Sequence, residues 1–148
     1  MLAIDPYKSG MLTKSPYVKK NAVDGMVVAV LDFAAENRGL QLIAQPSRAV
    51  IRGEVHELMI TDDAEAAPDR IVNPVSYLAF ICIENSGVIL RNDSVYLNGE
   101  KIGKIAGFDE THMPNHQNIV IQADQRFTGL EKGIEPGDTF RFAMDSGD

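Results

Sequence analysis

An all-β fold is what this sequence predicts, and three observations carry the prediction. Apolar residues come in short, β-branched runs of strand length, divided by Gly, Pro, Asn and Asp. Asn98-Gly99 joins two such runs with the dipeptide that favours a type I′ hairpin, because both central residues of that turn need positive φ. Runs of helical period are nearly absent. Together they predict a single compact β-barrel or orthogonal β-sandwich of about eight to ten short strands, with at most one or two short helical turns.

Residues 1–24 read as an extended, partly ordered N-terminal arm interrupted by Pro6, Gly10 and Pro16. A sharper reading has Tyr7 and Tyr17 docking on the acidic body of a neighbouring subunit. Residues 25–148 read as one β domain. Its first strand is the buried run Met26–Leu31, and Phe33–Arg38 before Gly39 predicts a helical turn with a glycine C-cap. Leu40–Ala44 is a strand stopped by Pro46. In Ala49–Thr61 the apolar parity changes after Gly53, predicting a β-bulge or bend near residues 53–57 that holds His56.

Asp62–Asp69 is an acidic, alanine-rich loop. Val75–Ile83 is the most continuously apolar stretch and predicts a central strand covered on both faces, with the lone Cys82 in the core. Glu84–Gly87 turns the chain into Val88–Leu90. The Asn98-Gly99 hairpin pairs Leu97 with Glu100, Tyr96 with Lys101 and Val95 with Ile102. Ile119–Ile121 is a further strand, Glu135–Asp138 a type II turn, and Thr139–Phe142 a closing strand.

Length and charge bound the function. A chain of 148 residues hides roughly two-thirds of its unfolded surface on folding, enough for a core without disulfides. The net charge is −7, although residues 1–20 carry four lysines against one aspartate. An acidic body repels phosphate, which argues against nucleic acid and against an anionic membrane surface. The single cysteine, and the lack of a leader or of a long apolar run, point to a cytoplasmic protein. The arm beside an acidic body, with the edges of an incompletely closed sheet, points to a homo-oligomer.

The chemistry concentrates in Gly107–Asn118, reading GFDETHMPNHQN between two strands. His112 and His116 have the spacing of two metal ligands on one helical turn, but Pro114 between them excludes that turn. The segment is therefore a loop. In it His112, His116 and Asp109 are the candidate catalytic groups, a carboxylate orienting a histidine that titrates near neutrality. Glu110, Thr111, Asn115 and Asn118 are candidate ligand-binding groups. If the fold brings His56 to His112 and His116, the three form a candidate site for a divalent transition metal. The bland alternative is a loop whose Asp, Asn and Thr only cap turns. These residues point to a small-molecule-binding barrel, or an enzyme acting on a small polar or carboxylate substrate. The rival reading is a non-catalytic, oligomeric interaction or assembly protein.

Overall fold

Residues 16–145, the part of the chain that this computed structural model describes, hold eleven strands and one short helix. In order they are β1 (Val23–Ala35), β2 (Leu40–Gln41), β3 (Ser47–Val50), β4 (Val55–Thr61), β5 (Ile71–Val72) and β6 (Val75–Ile83). Then follow β7 (Gly87–Leu90), β8 (Ser94–Leu97), β9 (Glu100–Asp109), β10 (Asn118–Gln122), α1 (Gly129–Lys132) and β11 (Thr139–Ala143). Seven strands close a barrel in the order β1-β11-β8-β9-β10-β4-β6, and two small ribbons, β2–β5 and β3–β7, lie outside that ring.

An odd ring cannot close with antiparallel neighbours alone, because each antiparallel step reverses strand direction. One parallel seam is required, and β10–β4 supplies it, with Asn118 opposite Glu57 and Val120 opposite Met59. That seam brings together segments about sixty residues apart, as the 61-residue separation of His56 and Gln117 illustrates.

The barrel interior is filled by Leu58, Ile60, Ile81, Phe108, Ile119, Ile121, Phe140 and Phe142, among others. Each such side chain, fully buried, contributes about 1.5–3 kcal/mol. On the outer face, Leu40, Leu42 and Val72 cover Met59, Ala106 and Val120. So β4 and β10 are buried on both faces beneath the β2–β5 ribbon. Two residues along from Met59 and Val120, on the same outer face, stand Glu57 and Asn118.

Several local expectations hold. Asn98 and Gly99 both have positive φ, 49° and 87°. Their hairpin pairs Leu97 with Glu100 and Tyr96 with Lys101. A bulge then sets Val95 opposite Gly103 in place of Ile102. Gly137, at φ 95°, completes the turn before β11. That strand closes the ring by pairing with both β1 and β8.

Others are corrected. Phe33–Ala35 is not helical: β1 runs on through it, because Phe33 pairs with Tyr77 of β6 and stacks on its ring at 5.2 Å. Cross-strand packing overrides a weak helical propensity here. The run Met26–Leu31 is buried on one face only, leaving Met26 and Val28 exposed. The bulge or bend expected after Gly53 is a tight turn: Gly53 has φ 94° and Glu54 N–H donates to Ile51 C=O at 3.0 Å. The chain leaves the β3–β7 ribbon there and enters the barrel, which is why the apolar parity changes. Cys82 is half-buried on the outer face, in register with Met26 and Val55.

Helix α1, not singled out in the sequence, opens on a Thr128-x-x-Glu131 capping box. Thr128 accepts from Glu131 N–H, Glu131 accepts from Thr128 N–H, and Gly133 closes the turn at φ 77°.

Residues 16–22 have no regular structure but are tied to the barrel. Lys20 Nζ lies 2.9 Å from Asp93, and Asn85 donates to Ala22 C=O. Tyr17 Oη lies 3.5 Å from Ser47 Oγ of the same chain, whereas Tyr7 falls outside the described residues. No helix among the described residues is long and apolar enough to cross a membrane.

Candidate functional site

The polar run occupies the end of β9, the loop 110–117 and the start of β10. Asp109 and Asn118 face each other across the antiparallel pair, so the run is a hairpin loop. The peptide bond Met113–Pro114 is cis, and Asn115 N–H closes a turn on His112 C=O at 2.9 Å. His116 N–H also reaches His112 C=O at 3.3 Å, so one isolated turn does join the two histidines, against the expectation from Pro114, although it does not extend into a helix.

Asp109 is almost fully buried, and its carboxylate is occupied. It accepts from Thr111 N–H at 3.1 Å, Thr111 Oγ1 at 2.8 Å and Asn118 Nδ2 at 3.0 Å. None of these partners is a histidine. Asp109 and Thr111 thus fold the loop base, and Asp109 fixes which end of the Asn118 amide faces which strand.

A second set of contacts ties the loop to the end of the barrel. Arg48 of β3 donates through Nε to Gln117 Oε1 at 2.9 Å and pairs through Nη1 with Glu110 at 2.8 Å. Gln117, 1% exposed, donates its N–H to His56 Nδ1 at 3.1 Å and accepts from Glu57 N–H. An Nδ1 that accepts must carry its hydrogen on Nε2 while the ring is neutral. That Nε2 points at Glu54 Oε1, 3.5 Å away, an electrostatic contact too long for a good hydrogen bond. Burial pushes the His56 pKa down, partly offset by Glu54.

The third set lies on the outer face of the parallel seam. His116 Nε2 is buried, without a hydrogen-bond partner, 3.9 Å from Glu57 Oε1. Its Nδ1 lies 2.7 Å from Asn115 Oδ1, and its ring meets Phe80 edge-on at 5.0 Å. His112, exposed, lies 5.1 Å from the His116 ring, centroid to centroid. Burial pushes the Glu57 carboxyl above its ordinary range, against the pull of His112 and Arg38. Burial also lowers the His116 pKa, and the neighbouring His112 and His56 lower it further. Asn118 Oδ1 is buried and unpartnered. Its Nδ2 end is held by Asp109 on β9, so Oδ1 is turned toward β4, where Glu57 is its registered neighbour.

Of the predicted residues, the fold gathers His112, His116, Asn115 and Asn118 on this face. Asp109 is buried at the loop base with exposed Thr111 bonded to it, Glu110 goes to Arg48, and His56 goes to the barrel end. His56 belongs to a different set of bonds from His112 and His116. Among the described residues, no group of three or more His, Cys, Asp or Glu side chains is arranged to hold a metal ion. The residues not foreseen are Glu57, Arg48 and Phe80. Glu57 carried a signal: a carboxylate at the outer-facing position of a strand otherwise buried on both faces is rare without a reason.

Comparison with curated proteins and with solved structures returns no match. A family model described as a family of unknown function, DUF6917, matches residues 17–143, a span that contains all eleven strands and the 110–117 loop. The chain belongs to the DUF6917 family.

Proposed function

We propose that this protein binds a small polar or carboxylate-bearing molecule at the outer face of the β4–β10 seam. The groups that touch the ligand are Glu57, His116 and His112, with Asn115 and Asn118 beside them. One observation carries the reading: the buried Glu57 carboxylate and the buried His116 Nε2 face each other at 3.9 Å, too far apart for a hydrogen bond. Desolvated polar groups left in that relation are expensive for a structure to keep, and they gather where a ligand completes them. Positive character for an acidic ligand comes from Arg38 and His112, whose charges both act on Glu57. A reaction on the bound molecule would use the same Glu57 and His116.

The test is amide NMR of the full chain titrated with lactate, malate and pyruvate. Shifts confined to residues 56–58 and 110–118 support the reading. Silence across that panel, or shifts centred elsewhere, overturns it.

An assembly role is the second reading, favoured by the outer row Met26–Cys82–Val55. Register joins these three across β1, β6 and β4, and Met26 and Val55 are 39% and 40% exposed. With Val28 and Phe33 they make an apolar band of the kind that partners cover. A monomeric mass in light scattering at assay concentration would remove this reading.

A further inference from the structure

We infer that Glu57, His116 and Asn118 form a binding site for one divalent metal ion. The inference rests on the reading of this cluster as the ligand site and names what the ligand binds to there.

The argument begins with the hydrogens. Asn115 Oδ1 can only accept, so His116 Nδ1, 2.7 Å from it, carries the ring hydrogen. In the neutral ring Nε2 is then a lone pair. It points at Glu57, whose ionised carboxylate also only accepts. The third group is Asn118 Oδ1, an amide oxygen fixed by the bond from Nδ2 to Asp109. Asp109 has no hydrogen to give, so the amide cannot be turned round without losing that bond. Register sets Asn118 beside Glu57, and His116 Nε2 and Asn118 Oδ1 are both buried without a hydrogen-bond partner. Asn118 itself is 1% exposed. A set made only of acceptors calls for a positive guest.

Size narrows the guest. Metal–nitrogen and metal–oxygen bonds of about 2.0–2.2 Å reach roughly 4.2 Å end to end, so one ion can touch Glu57 and His116 across their 3.9 Å gap. One imidazole, one carboxylate and one amide oxygen suit a borderline first-row ion such as Mn²⁺, Fe²⁺ or Zn²⁺. The set differs from the three-histidine set expected from sequence because His56 bonds Gln117 at the barrel end while Glu57 faces His116. Three protein ligands leave positions open, as catalytic metal centres do, and a carboxylate or hydroxyl of the small molecule would fill one. Asp109 and Phe80 are the supporting residues: one orients the Asn118 amide, the other packs the edge of the His116 ring.

The experiment uses the full chain purified without a metal-affinity tag, titrated with Zn²⁺ by calorimetry and with Mn²⁺ by NMR. We expect one Zn²⁺ per chain, and Mn²⁺ broadening confined to signals of residues 56–58 and 115–119. Glu57→Gln keeps the shape, removes the charge and weakens Zn²⁺ roughly hundredfold, the upper end of what even supporting residues cost. His116→Ala, in the loop outside the barrel strands, removes the nitrogen ligand and weakens Zn²⁺ to a similar degree. Amide spectra establish that each variant is folded, and an unfolded Glu57→Gln leaves His116→Ala to decide. Failure of both ions to bind the wild type, broadening centred elsewhere, or unchanged Zn²⁺ affinity in Glu57→Gln each overturns the inference. If the small acids shift loop signals in metal-free protein while neither ion binds, the metal site falls and the ligand site stands. Metal binding with a silent acid panel gives the reverse.

Discussion

Arg48 donates to Gln117 at 2.9 Å while its other nitrogen holds Glu110, so one side chain of the β3–β7 ribbon grips both ends of the 110–117 loop. Gln117 is buried, and its backbone is engaged by His56 and Glu57. Removing the guanidinium strands a buried amide oxygen, whereas the ion pair with half-exposed Glu110 contributes little by itself. Arg48→Met is expected to lower stability by about 1–2 kcal/mol. It should also speed amide exchange at residues 111–117 far more than in the barrel strands. Uniform exchange across the chain would show that Arg48 is not what holds the loop.

Asp109 lies in the predicted catalytic run, yet its three hydrogen bonds all go to Thr111 and Asn118. Bonds to an ionised acceptor contribute roughly 1.5–3 kcal/mol each and are not additive. Asp109→Ala is therefore expected to cost about 3–4 kcal/mol in a urea melt. Thr111→Ala, which removes one of the three, should cost about 1–2 kcal/mol. A stability for Asp109→Ala within experimental error of wild type would refute the clamp.

The contrast between Asp109 and Glu57 marks how far the sequence could be read. Local signals were legible: the Asn98-Gly99 turn and the glycine of the 135–138 turn act within a few residues. What failed depended on distant partners. Phe33 stays in β1 because Tyr77 lies beside it, and the parity change after Gly53 reflects a move from ribbon to barrel. Glu57 reaches His116 only through the parallel seam that an odd ring must contain. No spacing rule joins two residues so far apart in the chain. The density of polar side chains singled out the 107–118 run; which residues surround it depended on strand order.

The ion pair of Lys20 with Asp93, 2.9 Å long, anchors the segment before β1 to the turn between β7 and β8. Both side chains are nearly fully buried, at 7% and 2% exposure, so removing one partner leaves an uncompensated charge. Lys20→Met is expected to cost about 3–5 kcal/mol, and the double change Lys20→Met with Asp93→Leu clearly less than the sum of the two singles. Additive costs in that cycle would contradict the pairing.

Asp93 also gives a pH signature. Burial raises its pKa above 3.8, and Asp145 raises it further, against the bonds from Leu90 N–H and Lys20. A carboxyl raised in the folded state binds its proton before the unfolded chain does. Its contribution is fully present below 3.8 and is lost as pH rises through the folded value. Between neutrality and that range, acidification should therefore favour wild type relative to Asp93→Asn, which cannot titrate. Urea melts of both proteins at a series of pH values test this; parallel curves would show that Asp93 titrates alike in both states.

Gly103 sits where the Asn98-Gly99 hairpin departs from simple register, opposite Val95. A Cβ there would lie 2.5 Å from Gln122 C=O and 2.8 Å from Ile121 Cγ2. The first of these is backbone of β10, whose Ile121 side chain fills the barrel and whose Asn118 faces Glu57. Gly103 is not one of the positive-φ glycines, so Ala is free of backbone strain there and the penalty is contact alone. Gly103→Ala should cost about 1–3 kcal/mol as β9 and β10 move apart. Gly99→Ala, with open space around its Cβ, carries the positive-φ penalty of about 1 kcal/mol. The two are told apart by amide shifts: Gly103→Ala should perturb β10 up to Asn118, and Gly99→Ala only the turn. Equal, local perturbations from both would show that β9 does not rest on the β10 backbone at Gly103.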